Sequence, residues 1–274
     1  MLTTLLQRTR AACLTTVVLA LAACAPSMRS EAVPGSFAWF DLVTDQPEAA
    51  RSFYSGLFGW RFADGPADNL QIISNRGELI GGLVQGDDQD TARPESQWKP
   101  VLSVSDTSVA RARAVSSGAN PLGEVVQTRS GQLAALRDPT GAVLTIYDGV
   151  EGVPLGTPPR VGSWVWVDLL TGNPSRARRF YRDVAGFETR KENRDGTTSF
   201  EVFSSNGKDR GGMIPISRSA ASPGWIAYVG VDNIDETLAR AQALGATVPA
   251  RAGDVAIVID PTGAVFGVAQ RPAN

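Results

Sequence analysis

The chain has 274 residues, 43% of them hydrophobic, with 26 Lys and Arg set against 28 Asp and Glu. That balance fits soluble globular domains and excludes a basic field for nucleic acid or an acidic interaction tail. Histidine is absent altogether, which removes Ser–His and Cys–His catalysis and every His-bearing metal site.

In chain order, Met1–Arg10 carries Arg8 and Arg10 and runs into the apolar stretch AACLTTVVLALAA, Ala11–Ala23. A charged start and an apolar run too short to span a bilayer comfortably mark an export leader. It ends in LAAC, Leu21–Cys24, which resembles the lipobox of bacterial lipoproteins. The resemblance implies cleavage before Cys24 and a lipid on Cys24 that ties the protein to a membrane. Because Ala25 and not Asp follows, it also implies the outer membrane, facing the periplasm. An ordinary secretory leader cleaved nearby is the alternative. Cys13 and Cys24 are the only cysteines, so the folded part has no thiol, disulfide or cysteine ligand.

The remainder is written twice. SFAWFDLVTDQPEAARSFYSGLFGW (36–60) aligns without a gap on SWVWVDLLTGNPSRARRFYRDVAGF (163–187), and DPTGAV closes each copy at 138–143 and 260–265. A period this long means two whole domains, not a solenoid. The expected organisation is a leader at 1–23, a tether at 24–35, domains at 36–148 and 163–271, and a Pro/Gly-rich linker at 149–162. In the first copy, Phe37–Val43 alternates as a strand, with Trp39, Asp41 and Val43 on one face and Phe40 and Leu42 on the other. Pro47 opens a helix whose stripe is Ala50, Phe53, Tyr54 and Leu57, and strands follow around 70–74 and 79–84. A strand at 101–104, a helix over 108–117 stopped by Gly118, and two strands joined by the DPTG turn complete the copy. The second copy repeats this order. The pattern predicts an α+β fold of two tandem domains, each of paired βαβββ modules forming a curved mixed sheet.

The opening strand, the helix AARSFYSGLFGW and the closing RDPTGAVLTIY together resemble the vicinal oxygen chelate superfamily, which includes glyoxalase I, antibiotic-resistance proteins and extradiol dioxygenases. The likeness covers nearly all of residues 36–147 and 163–270 and is nearest to the tandem hydroxylase-like subgroup. It implies a cup-shaped sheet holding a divalent metal on two His and one Glu. Carried onto this chain, the first ligand position falls at or beside Trp39 and Trp166, the second on or near Trp98 and Trp225. The Glu position falls on Thr145 and Gly267. Every ligand is missing in both copies, so neither a metal nor another cofactor is expected.

In their place the sequence offers tryptophan and aspartate. Trp39, Asp41 and Trp98 in one copy, with Trp164, Trp166, Asp168 and Trp225 in the other, are the candidate lining of two aromatic cups. Such cups suit an apolar, flat or cationic small molecule. Two readings stay open for the tryptophans, ligand contact or plain space-filling. Asp41 and Asp168 are weak candidates for catalytic bases or, equally, acceptors for neighbouring backbone N–H groups. Tyr54 and Tyr181 read as helix-core residues with surface hydroxyls, Glu78 and Glu201 as spare carboxylates, and Arg176, Arg178 and Arg179 as a solvated helix face. The expected partners are a membrane through Cys24, a small molecule, and the sister domain in the same chain. The functional alternatives are a metal-free ligand-binding lipoprotein, a divergent lyase, hydroxylase or carboxylate-metal enzyme of that superfamily, and an envelope interaction protein with filled cups.

Overall fold

The computed structural model describes residues 33–86, 96–149, 160–194, 198–217 and 222–272. The leader, Cys24 and nearly all of the tether lie outside these residues, as does most of the linker.

The first half opens with β1 (Phe37–Thr44) and α1 (Pro47–Phe58), whose stripe Ala50, Phe53, Tyr54 and Leu57 is buried and which stops at Gly59 with φ 72°. Only glycine takes that left-handed turn without strain. β2 (Arg61–Asp64), β3 (Leu70–Asn75) and β4 (Glu78–Gln85) finish the first module. The second module has β5 (Gln97–Ser103), α2 (Thr107–Ser116), β6 (Asn120–Pro121), β7 (Val126–Gln127), β8 (Gln132–Arg137) and β9 (Val143–Tyr147). The second half follows suit with β10 (Trp164–Thr171), α3 (Pro174–Ala185), β11 (Glu188–Arg194), β12 (Thr198–Ser205) and β13 (Lys208–Pro215). It ends with β14 (Gly224–Val231), α4 (Ile234–Ala243), β15 (Thr247–Ala252), β16 (Val255–Ile259) and β17 (Val265–Gln270). The two sheets have matching orders, β2-β3-β4-β1-β5-β9-β8-β6 with β7 beside β8, and β11-β12-β13-β10-β14-β17-β16-β15.

The helices pair across the halves, α1 with α4 and α2 with α3. One continuous core joins all four to one face of each sheet. The opposite face of the first sheet carries its own small cluster of Trp39, Leu70, Val84, Val101, Leu133 and Tyr147.

A bulge near the start of each opening strand decides which residues reach which face. Phe37 pairs with Leu102 and Trp39 with Val101, so Ala38 is the extra residue; Trp164 pairs with Val229 and Trp166 with Tyr228, leaving Val165 extra. An inserted residue breaks the two-residue alternation. Phe37 and Trp164 therefore turn into the shared core, while Trp39 and Trp166 face the concave side. Trp164 crosses into the first half, with ring centroids 4.7 Å from Phe40, 4.8 Å from Trp98 and 5.4 Å from Trp60. Phe37 makes the reciprocal crossing, 5.0 Å from Trp225.

The DPTG turns lock the same contact. The Gly141 N–H donates to the Asp138 carbonyl at 3.0 Å, closing the turn. Asp138 Oδ1 accepts the backbone N–H groups of Thr140, Gly141 and Ala142, and its Oδ2 accepts the Tyr181 hydroxyl of the other half at 2.8 Å. Asp260 caps its own turn the same way and faces Tyr54, whose hydroxyl takes the Trp98 N–H at 2.7 Å. In the mirror relay the Trp225 N–H points at Tyr181 without closing a normal bond, as Tyr54 does toward Asp260. The hydroxyls expected at the surface are thus buried, and burial beside a carboxylate holds both tyrosines well above their usual pKa. The hexapeptide is a turn in both copies and, through Asp138, a latch between the halves.

Candidate functional site

On each concave face a tryptophan donates to the aspartate two residues on. Trp39 Nε1 meets Asp41 Oδ1 at 2.8 Å, and Trp166 Nε1 meets Asp168 Oδ1 at 2.8 Å. Same-face neighbours on a strand make this local, which is why it recurs in both copies. Each carboxylate also rests against a glycine in the middle of the parallel partner strand, Gly82 or Gly212. A Cβ on Gly82 would sit 2.5 Å from Asp41 Oδ1.

Three of the expected lining residues are elsewhere. Trp98 pairs with Leu42 and Trp225 with Leu169, and both of those partners are fully buried on the helix side. Antiparallel partners share a face, so Trp98 and Trp225 are core residues. Trp164 is core as well, through its bulge, and donates its N–H to the Ile80 carbonyl at 2.9 Å. Of the expected set, only Trp39, Asp41, Trp166 and Asp168 stand on the concave faces. Glu78 pairs with Arg160 and Glu201 with Arg178, so neither is spare.

The two faces are not equivalent. In the first, Trp39 and Asp41 are each 1% exposed, packed under Leu70, Val84, Val101, Leu133 and Tyr147 with Ala67 and Val126 against them. The strand registers place Phe200, Ile214, Tyr228, Val255 and Ala269 at the matching positions of the second. There Trp166, Phe200, Ile214, Val255 and Ala269 are all partly exposed, while Asp168 beneath them is only 7% exposed. The first face buries its tryptophan; among the described residues the second leaves Trp166 partly exposed above a buried carboxylate, with Phe200 and Tyr228 on the same face.

Asp41 Oδ2 is buried with no hydrogen-bond partner among the described residues. Burial drives its pKa from 3.8 to about 6, against the opposing pull of the Trp39 N–H, of Lys99 across the strand pair and of the Gly82 N–H. The folded state then holds a proton that the unfolded chain has released, so stability should fall as pH rises between about 4 and 6. Two pH units of offset correspond to about 3 kcal/mol. Asp41→Asn should abolish that decline, read as the difference between variant and parent in denaturant titrations at pH 4 and pH 7. Equal slopes would sink this account.

The residues do not fit the metal that the fold implies. Tyr228 pairs with Gly267 and its ring lies where a side chain on that glycine would be. Thr145, in the first copy, pairs with Val101 and carries no carboxylate. Among the described residues no three His, Cys, Asp or Glu side chains come together. The exchange of Val101 and Thr145 for Tyr228 and Gly267, small-with-medium for large-with-none, was the sequence signal that these positions touch.

A family model for the glyoxalase-like domain matches residues 38–147 and 164–269. The chain belongs to the glyoxalase-like domain family. Among glyoxalase-like relatives, CFP32 of Mycobacterium bovis, provisionally named a glyoxylase, is 27% identical over 258 residues, covering 88% of this chain and 96% of CFP32. The anthracycline biosynthesis protein DauV of a Streptomyces species is 29% identical over 265 residues, covering 86% and 94%. A Mn(II)-bound glyoxalase from Novosphingobium aromaticivorans superposes with a TM-score of 0.60 at 17% identity, over 86% of this chain and 82% of that one. A catechol 2,3-dioxygenase gives 0.58 at 17%, over 89% and 90%. These superpositions establish the vicinal oxygen chelate fold.

Proposed function

We propose that this protein is a lipid-anchored envelope protein that binds a small, flat organic molecule on the concave face of its second domain, without the family's metal. One observation carries the reading: Trp166 is partly exposed in an open aromatic cup over the buried Asp168, whereas its counterpart Trp39 is sealed. A partly exposed indole offers a stacking surface, and a buried carboxylate below it favours a ligand with an N–H, O–H or positive charge. The names of the relatives, glyoxylase and anthracycline biosynthesis, both concern small organic molecules. The anchor rests on the LAAC resemblance at Leu21–Cys24.

The test is a fluorescence titration against a panel of aromatic and cationic compounds. A ligand that quenches the parent should lose at least about tenfold in affinity with Trp166→Ala, the worth of one aromatic contact. Trp39→Phe should leave it unchanged, and so should a chelator. Loss with the chelator would restore the metal; equal binding by Trp166→Ala would remove the second cup.

A divergent lyase or hydroxylase using Asp41 and Asp168 as bases is the second reading, favoured by the raised pKa of Asp41. Trp39 and its neighbours close over that carboxylate, which is why binding at the second cup ranks first. The interaction-protein reading requires both cups to be filled, and only the first is packed.

A further inference from the structure

The two helix pairs are related by the repeat but differ in charge. α2 and α3 carry Arg111, Arg113, Arg176, Arg178, Arg179 and Arg182 against Asp183 alone. Their counterparts α1 and α4 carry Arg51 and Arg240 against Glu48, Asp235 and Glu236. In a chain with a sequence pI near 5.3, this is charge segregated onto one face. Arg113, Arg176, Arg179 and Arg182 are exposed, and so are Val109 and Val115 on α2. Arg178 is partly withdrawn to Glu201, and Arg182 has Asp183 beside it. Arg176 reaches the end of α2 at Gly118, where Pro139 of the first DPTG turn also closes in and brings the exposed Arg137 to the same corner.

The tether joins the fold beside the C-terminal end of α3. Gly35 donates its N–H to the Ser103 carbonyl. A Cβ added to Gly35 would lie 3.3 Å from the carbonyl oxygen of Ala185, the last residue of α3. Nine peptide steps separate Val33 from Cys24, a reach of at most about 30 Å. α3 itself is about 18 Å long, so a lipid on Cys24 would keep the whole arginine face within reach of the bilayer.

We propose that the α2–α3 face lies against an anionic phospholipid surface, its arginines on headgroup phosphates and Val109 and Val115 at the boundary. The proposal rests on the anchored reading, yet the contact itself needs no lipid on the protein. The attraction acts only within about one Debye length, ~8 Å at physiological salt, and the short tether supplies that proximity. The open cup belongs to the second sheet, on the side away from the helices, so this docking would leave it facing solvent.

The test uses residues 25–274, which hold every described strand and helix, with vesicles of phosphatidylglycerol and phosphatidylcholine compared with phosphatidylcholine alone. Sedimentation at low salt should show binding only to the anionic vesicles. Arg176→Gln, Arg179→Gln and Arg182→Gln combined should weaken it at least about tenfold, while the charge-matched set Arg51→Gln, Arg240→Gln and Arg251→Gln should leave it intact. No binding by the parent, equal binding to neutral vesicles, or equal loss in both triple variants would overturn the proposal. Full displacement by inorganic phosphate at matched ionic strength would assign a discrete anion site and overturn it too. Failure of the anchor reads out separately: in the full chain, Cys24→Ala would leave membrane fractionation unaltered even in high salt.

Discussion

Asp138→Ala is expected to lower stability by about 3–4 kcal/mol, roughly 10 °C in midpoint for a chain of this size. The substitution strands the buried Ala142 N–H and the Tyr181 hydroxyl, which the carboxylate satisfies together from two parts of the molecule. Asp138→Asn keeps an oxygen for the turn and should cost about 1–2 kcal/mol. Tyr181→Phe should cost a similar amount, because it leaves Oδ2 without a donor. The informative quantity is the coupling between Asp138→Asn and Tyr181→Phe in a double-mutant cycle by urea denaturation. A coupling of about 1 kcal/mol supports the latch. Additive losses, or an Asp138→Ala variant within 1 kcal/mol of the parent, would show that the bond across the halves contributes nothing.

The second large effect lies at Trp164. Trp164→Ala should cost about 4–5 kcal/mol, the usual range for emptying a buried tryptophan site plus an unsatisfied Ile80 carbonyl. The removed ring belongs to the second half while its contacts, Phe40, Trp60 and Trp98, belong to the first. Unfolding of the parent should therefore be a single transition, coincident by tryptophan fluorescence and far-UV circular dichroism. In Trp164→Ala the two probes should separate as the halves lose their common core. Two transitions in the parent would mean that the shared core does not couple the repeats.

Much of the architecture was legible because it is written in local pattern and written twice. The alternation at Trp39, Phe40, Asp41 and Leu42 assigns faces directly, and Pro47 and Gly59 bracket α1 as their backbone limits require. The candidate site was legible only in part. The bulges at Ala38 and Val165 carry no compositional mark, since neither residue is a glycine, so Trp164 reads as concave and is core. Trp98 and Trp225 depend on strand register, which a single strand does not encode. The latch between Tyr181 and Asp138 joins residues 43 apart through a packing that neither helix nor turn announces. Nor could one copy reveal that its cup is closed, for Ala67 and Val126 come from segments that have no fixed place until the sheet forms.

The reciprocal crossings of Phe37 and Trp164, and of Tyr54 and Tyr181, are what two identical chains would make about a twofold axis. A single repeat of this kind would need a second copy of itself to satisfy its tyrosine and its turn, and would exist only as a homodimer. In such a dimer every substitution is made twice, so both cups must be alike. Joining the copies in one chain lifts that constraint: Lys99 opposes Asp41 while Ile226 opposes Asp168, and one cup can be packed for rigidity while the other stays open. The asymmetry that a ligand would read is a freedom gained by covalent fusion.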